Sequence, residues 1–205
     1  MKPHETVKLA RCPWPGIDDP LYARYHDEEW GVPHADEQRL FEKLVLEGFQ
    51  AGLSWLVILR KRDGFRRAFH DFDPARIARY TSEDVARLMA DQGIVRNRLK
   101  VAATIDNAKA YLALRKTRTL ASFLWEHAGG KPVINRAAAM SDVAASTDVS
   151  RRVSKALKGQ GFRFVGPTTV HAFMQATGMV NDHLVGCPRH DVCAGLQRAF
   201  VPPEV

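Results

Sequence analysis

Glu47 is the one charged residue between Leu44 and Leu59, in the string L-V-L-E-G-F-Q-A-G-L-S-W-L-V-I-L. The segment before it has a helical pattern that starts at Asp36, a residue type suited to an N-cap. Leu40, Phe41 and Leu44 mark its apolar face, and Glu47 shares that face. A carboxylate held in an apolar environment is costly unless something pairs with it. Glu47 therefore either meets a buried partner or lines a pocket that receives a ligand. A solvated glutamate at a helix end, next to Gly48, is the plain alternative.

Two Cys/His pairs sit at opposite ends of the chain. Cys12 precedes His26, and His183 precedes Cys187 in N-D-H-L-V-G-C. Two thiolates and two imidazoles fill a tetrahedral zinc shell and leave no position for a reactive water, so such a site is structural. The distance between the pairs is far too long for a zinc finger, and buried free cysteines would read the same way. His190 and Cys193 compete as ligands on spacing alone. An aromatic group accompanies the first pair: Trp14, Tyr22, Tyr25 and Trp30 fall within the first thirty residues, with Trp55 further on. Aromatic faces beside a buried carboxylate suit a flat, electron-poor ring such as a cationic nucleobase. Singly, each of these aromatics is as well explained by core packing.

The segment R-L-M-A-D-Q-G-I-V-R-N-R-L-K, residues 87–100, reads as two helices joined by a short turn at Gly93. The first opens at Thr81-x-x-Asp84, a capping-box-like start. The second starts near Asn97 and presents free backbone N–H groups flanked by Arg96, Arg98 and Lys100, an arrangement suited to a phosphate. This is the logic of a helix-hairpin-helix element, which grips the DNA backbone without reading sequence.

These groups need a scaffold, and the chain supplies one that is almost entirely helical. Segments 36–48, 54–70, 82–91, 97–114, 120–128, 149–158 and 168–178 each carry apolar residues three and four apart. Gly64 reads as a kink, Gly129-Gly130 as a break, and Phe162 to Val165 as a short extended piece without an evident partner. An all-α class is expected, as one domain or two intimately packed lobes at a length of 205 residues. The net charge of +7 is gathered in three places. Arg60, Lys61, Arg62, Arg66 and Arg67 form one cluster; Arg96, Arg98 and Lys100 a second; Arg151, Arg152, Lys155, Lys158 and Arg163 a third. Separate basic patches suggest a polyanionic partner, with nucleic acid the first candidate, although solvated helix faces look alike. No run has the length of a membrane span, the start lacks a signal-peptide core, and three cysteines fit a reducing compartment, so the cytoplasm is expected.

The strings C-P-W, D-P-L-Y-A-R-Y-H-D-E-E-W-G-V-P, L-E-G-F-Q-A-G-L-S-W, G-I-V-R-N-R, G-F-R-F-V-G-P-T and M-V-N-D-H-L-V-G-C run in order from Cys12 to Cys187. In that order they resemble the 3-methyladenine DNA glycosylase I family. The resemblance implies an all-α fold of the helix-hairpin-helix DNA glycosylase superfamily, with two packed helical lobes and a structural zinc site joining the N- and C-terminal segments. It implies Cys12, His26, His183 and Cys187 as the zinc ligands, and Glu47, Tyr22, Tyr25, Trp55, Trp14 and Trp30 as the base pocket, with Glu47 the catalytic residue. Gly52 and Leu53 correspond to the element that fills the gap left by an extruded nucleotide; Gly93, Arg96, Asn97 and Lys100 would grip DNA. Residues 1–11 then form an N-terminal extension, 12–189 the glycosylase domain and 190–205 a C-terminal tail. The implied substrate is double-stranded DNA containing alkylated adenine, the implied product an abasic site, and the implied state a monomer. The aspartate that assists in related glycosylases has no evident counterpart here. No lysine follows the hairpin in a position to form a Schiff base, so lyase activity is not expected.

Two readings from other classes compete. A zinc-stabilised, non-catalytic DNA-binding module would account for the hairpin and the Cys/His pairs but leaves Glu47 among aromatics unexplained. A zinc hydrolase would need one of the four ligand positions open and a general base beside it.

Overall fold

The computed structural model describes residues 10–204, so most of the N-terminal extension expected over 1–11 lies outside the described residues. These form helices α1 (Pro20–Glu28), α2 (Glu37–Gln50), α3 (Trp55–Ala68), α4 (Pro74–Ile77), α5 (Ser82–Ala90), α6 (Arg98–Leu114), α7 (Leu120–Ala128), α8 (Asp148–Gly159), α9 (Pro167–Ala176) and α10 (Pro188–Ala199). The expected helical class holds, with one small addition. Strands β1 (Val133–Ile134) and β2 (Val180–Asn181) pair in parallel, Val133 against Val180. None of the helices is long and apolar enough to cross a membrane.

Helix α2 is the axis of the molecule. It buries Leu40, Phe41, Leu44, Val45, Leu46 and Phe49, and packs against α3, α6, α7 and α9. Both of its ends are tied to other elements. Glu37 in its first turn accepts hydrogen bonds from the Leu120 and Ala121 amides, 3.1 and 2.7 Å, which satisfies free N–H groups at the start of α7. At its other end the Lys100 ammonium donates to the carbonyls of Phe49 and Ala51, 2.8 and 2.7 Å.

The hairpin of α5 and α6 leans on α3 through two glycines. A Cβ on Gly64 would stand 2.3 Å from the Gly93 carbonyl oxygen, so only glycine allows this approach. Gly64 is thus not a kink: α3 runs through it, and the residue is small because the hairpin turn rests there. The expected extended piece at Phe162–Val165 is not a strand either. Phe164 has a φ of 55°, which breaks an extended run, while the Asn107 side chain brackets the Arg163 backbone with bonds of 2.7 and 3.1 Å.

Helices α1 and α10 carry no apolar stripe. Helix α1 is set by its cap: Asp19 accepts from the Leu21 and Tyr22 amides and Pro20 occupies the first turn. Helix α10 falls in the stretch read as a tail, yet His190, Cys193, Ala194 and Gln197 are buried along it. Gln197 donates to the Gly178 carbonyl at 2.9 Å, and the His190 carbonyl accepts from Asn181 at 2.9 Å. Polar contacts of this kind hold the helix where apolar periodicity gave no sign of it.

Candidate base-recognition cavity and metal cluster

Apolar burial divides into a large cluster around α2 and a small one around Cys12, Tyr25, Trp30, Leu184 and Cys187; Trp55 packs against both. A cavity of about 380 Å³ opens where they meet, a volume typical of small-molecule sites. All six residues expected at a base pocket line it: Trp14, Tyr22, Tyr25, Trp30, Glu47 and Trp55. Helix α1 supplies Tyr22 and Tyr25 from successive turns, their rings nearly parallel at 25° and 6.4 Å apart. Helix α2 supplies Glu47, and Trp55 is the first residue of α3, its ring centroid 5.4 Å from that of Tyr25. Trp14 stands edge-on to Trp30 at 4.7 Å.

Glu47 is 4% exposed, and among the described residues nothing hydrogen-bonds its carboxylate. Burial pushes its pKa up to about 7, and the charge of Lys43, one turn earlier on α2, limits the rise. Burial likewise pushes Lys43 down to about 8, against the pull of Glu47 and Glu29. The Trp55 indole N–H is a second buried polar group with no partner. A buried carboxylate left without a partner in an aromatic cavity is the mark of a site awaiting a polar, planar ligand.

Several lining residues were not anticipated. Thr168, His171 and Gln175 recur at helical spacing on α9 and form a further wall of the cavity. His171 is buried, its Nε2 3.3 Å from Asp182, which also accepts from Gln175 and Asn135 at 2.7 Å each. The spacing of these polar residues within an otherwise apolar helix was the available signal. Met140, Val143 and Ala144 come from the loop before α8, whose position nothing in the sequence fixes.

The mouth of the cavity adjoins the loop between α2 and α3. Gln50, which lines the cavity, donates to the Leu53 carbonyl at 2.7 Å, and Leu53 N–H returns a 2.7 Å bond to the Gln50 carbonyl. Gly52 has a φ of +85° with open space around it, and Leu53 is 38% exposed. An apolar side chain is thus held out to solvent between Glu47 and Trp55.

Cys12, His26, His183 and Cys187 meet in a buried cluster whose ligand atoms all lie within 4.8 Å of one another. The His183 Nδ1 is 3.7 Å from both thiols, and His26 Nε2 is 3.7 Å from Cys187. Tetrahedral zinc, with bonds of about 2.3 Å to sulfur and about 2.0 Å to nitrogen, separates S and N ligands by roughly 3.5 Å. The donor set and its spacing fit. The outer ring nitrogens are also engaged: His26 Nδ1 lies 2.8 Å from Asp27, and His183 Nε2 donates to the Trp30 carbonyl at 3.0 Å, which fixes each ring for ligation. His190 and Cys193 stand outside this cluster. The His190 Nε2 meets the Asn135 carbonyl at 2.9 Å, and Cys193 packs beneath Trp30 and Gly31.

The basic clusters fare differently. In the first, Arg60 pairs with Asp19, Arg62 with Glu29 and Arg66 with Glu42. In the third, Arg151 pairs with Asp148 and Arg163 with Asp106. Arg96 and Arg98 at the hairpin are exposed and, among the described residues, have no ion pair or side-chain hydrogen bond. Asn97 caps α6 by accepting from the Lys100 amide at 3.1 Å. Two of the residues expected to grip DNA have packing partners within the fold. Lys100 is 8% exposed, and its ammonium is occupied by the end of α2, so it does not face solvent. Gly93 turns its carbonyl onto Gly64 and serves packing.

Comparison with known proteins adds the following. The sequence model of the methyladenine glycosylase family matches residues 14–190. The DNA-3-methyladenine glycosylase of Haemophilus influenzae is 49% identical over 180 residues, which is 87% of this chain and 97% of that protein. A crystal structure of 3-methyladenine DNA glycosylase I superimposes with a TM-score of 0.85 at 49% identity, covering 87% of this chain and 98% of the other. The Staphylococcus aureus 3-methyladenine DNA glycosylase I, in a structure addressing its recognition of 3-methyladenine, gives a TM-score of 0.81 at 41% identity, over 84% of this chain and 93% of its own.

Proposed function

This chain belongs to the methyladenine glycosylase family, and we propose that it hydrolytically removes 3-methyladenine from alkylated double-stranded DNA, leaving an abasic site. The observation that carries this reading is Glu47: a buried carboxylate with no partner in a cavity walled by Tyr22, Tyr25, Trp55 and Trp30. A cationic, planar, hydrogen-bond-donating base answers each of those features. Its charge and amino edge meet Glu47 through charge-assisted hydrogen bonds, and its faces meet the rings.

A base can reach such a cavity only by leaving the duplex stack. Leu53, held out beside the cavity mouth by Gln50, is placed to enter the gap the nucleotide leaves. Arg96, Arg98 and the first amides of α6 would hold the phosphates. Methylation at N3 makes the base a good leaving group. As the bond from C1′ to N9 breaks, its electron pair goes to N9 and neutralises the base, the positive charge passes to the sugar, and water adds at C1′ with loss of a proton. Among the described residues no lysine lines the cavity, and the proposed reaction is hydrolysis alone. In this reading Glu47 recognises the base and orients its leaving.

Cys12, His26, His183 and Cys187 would hold zinc, whose contribution is to crosslink the segment before α1 to the one before α10. With all four positions taken by protein, the metal binds no substrate, which disfavours the hydrolase alternative. The enzyme would act as a monomer in the cytoplasm. Incubation with methylated duplex DNA followed by chromatography of released bases tests the activity: 3-methyladenine should appear and unmodified adenine should not. A protein that binds DNA and releases no base would instead be the non-catalytic module.

A further inference from the structure

Lys43 stands behind the aromatic wall. Its ammonium lies 4.6 Å from the ring centre of Tyr25 and 4.3 Å from that of Trp55, and donates to the Tyr25 hydroxyl at 3.2 Å. It does not line the base cavity; it lines a separate small polar cavity together with Glu29, Glu42, Arg62 and Arg66. Glu47 follows one helical turn later and lines the base cavity itself. The two are not within ion-pairing distance, so they act on each other through space across a poorly solvated region, where a unit charge is felt strongly.

The surroundings leave Lys43 as the nearest uncompensated positive charge. From α3, Arg62 is matched by Glu29 at the end of α1, and Arg66 by Glu42 on α2. His34, in the loop after α1, is pushed down to about 4 by burial and is neutral. Arg39 on α2 is exposed to solvent. Tyr22 and Tyr25 are both raised by burial and stay protonated. From α9, His171 faces Asp182.

We propose that Lys43 is a positioning residue for base recognition: its ammonium, clamped behind Tyr25 and Trp55, keeps Glu47 ionised in the empty cavity. It thereby sets the pH above which the cavity recognises a cationic base. The inference rests on the reading of Glu47 as the group that meets the base. Lys43 touches neither base nor sugar; it acts through the charge state of Glu47 and the placement of the Tyr25 hydroxyl.

The test is the pH profile of kcat/KM for 3-methyladenine release from methylated duplex, which reports ionisations of the free enzyme. It should be taken from about pH 5.5 to about pH 9 for the wild type and for Lys43→Met, Lys43→Gln, Lys43→Arg and Glu47→Gln. Loss of the Lys43 charge should move the acid limb up by about one unit, so that Lys43→Met is on the order of tenfold slower near pH 6 and converges with the wild type near pH 9. Lys43→Arg should restore the limb, and Glu47→Gln should abolish it. Lys43→Gln removes the charge while keeping a donor for Tyr25, and serves if the Met variant does not fold. A Lys43→Met or Lys43→Gln profile that superimposes on the wild type, or lies below it by one factor at every pH, overturns the proposal. Absence of base release by the wild type would instead overturn the functional reading on which it rests.

Discussion

His183 donates from Nε2 to the backbone carbonyl of Trp30, 3.0 Å away, while the indole of Trp30 lines the base cavity. The Cys/His cluster and the aromatic cavity are therefore linked through one residue. His26, also in the cluster, rides on the same helix as Tyr22 and Tyr25. If the proposed zinc is bound there, a change at it should be felt in the aromatic wall.

Replacing Cys12 or Cys187 with Ser should lower bound zinc from one per chain, reduce the melting temperature and weaken 3-methyladenine binding together. Metal analysis and thermal melting check this. Cys193→Ser should keep full zinc, because Cys193 lies outside the ligand cluster; retention of zinc by both Cys12→Ser and Cys187→Ser would refute the assignment.

Arg96 and Arg98 should contact phosphates. The double change to Ala should weaken binding to undamaged duplexes of any sequence alike and reduce the salt slope by about one unit per lost contact. Fluorescence titrations at several salt concentrations read this, and a slope equal to that of the wild type would remove the hairpin from the DNA interface.

Lys100→Met should behave differently from these arginines. The change strips the donor from the carbonyls of Phe49 and Ala51, so it should cost about 1–3 kcal/mol of stability. Its salt slope for DNA binding should stay at the wild-type value. Denaturant unfolding and the same binding titrations separate the two effects.

Stability should also carry the signature of Glu47. Its folded-state pKa, raised to about 7 from 4.5, means that the unfolded chain gives up this proton first. The stability linked to the protonated form is therefore complete below about pH 4.5 and is lost as pH rises through about 7, on the order of 3 kcal/mol in all. Lys43, lowered to about 8, has the opposite sign: its share is present above about pH 10.5 and lost as pH falls through about 8. In Glu47→Gln the loss between about pH 4.5 and pH 7 should vanish from unfolding free energies measured across that range. Persistence of the same slope would place its origin elsewhere.

Glu47 and the aromatic wall of the cavity were legible in the sequence because those residues are chemically conspicuous. A glutamate on an apolar face and tyrosines and tryptophans in a polar segment announce themselves. Helices α2 to α9, where longer than one turn, followed from apolar periodicity. Helices α1 and α10 did not, because a cap at Asp19 and polar contacts at Gln197 and Asn181 hold them. The packing contacts of Lys100 and Gly93 were hidden for a related reason. Their local pattern is that of a phosphate grip, while tertiary neighbours, the end of α2 and Gly64, use them for packing. His171 and the loop bearing Met140 reach the cavity only through the folding of distant segments.

The measurement that bears most directly on the account is the excision of 3-methyladenine by Glu47→Gln under single-turnover conditions, with adenine release as the reference. Glutamine keeps the shape and one acceptor but removes the desolvated charge that meets a cationic base. Excision should slow and binding of free 3-methyladenine should weaken, with zinc content and affinity for undamaged DNA unchanged. Excision at the wild-type rate with the same preference over adenine would contradict the account and leave recognition to the aromatic rings alone.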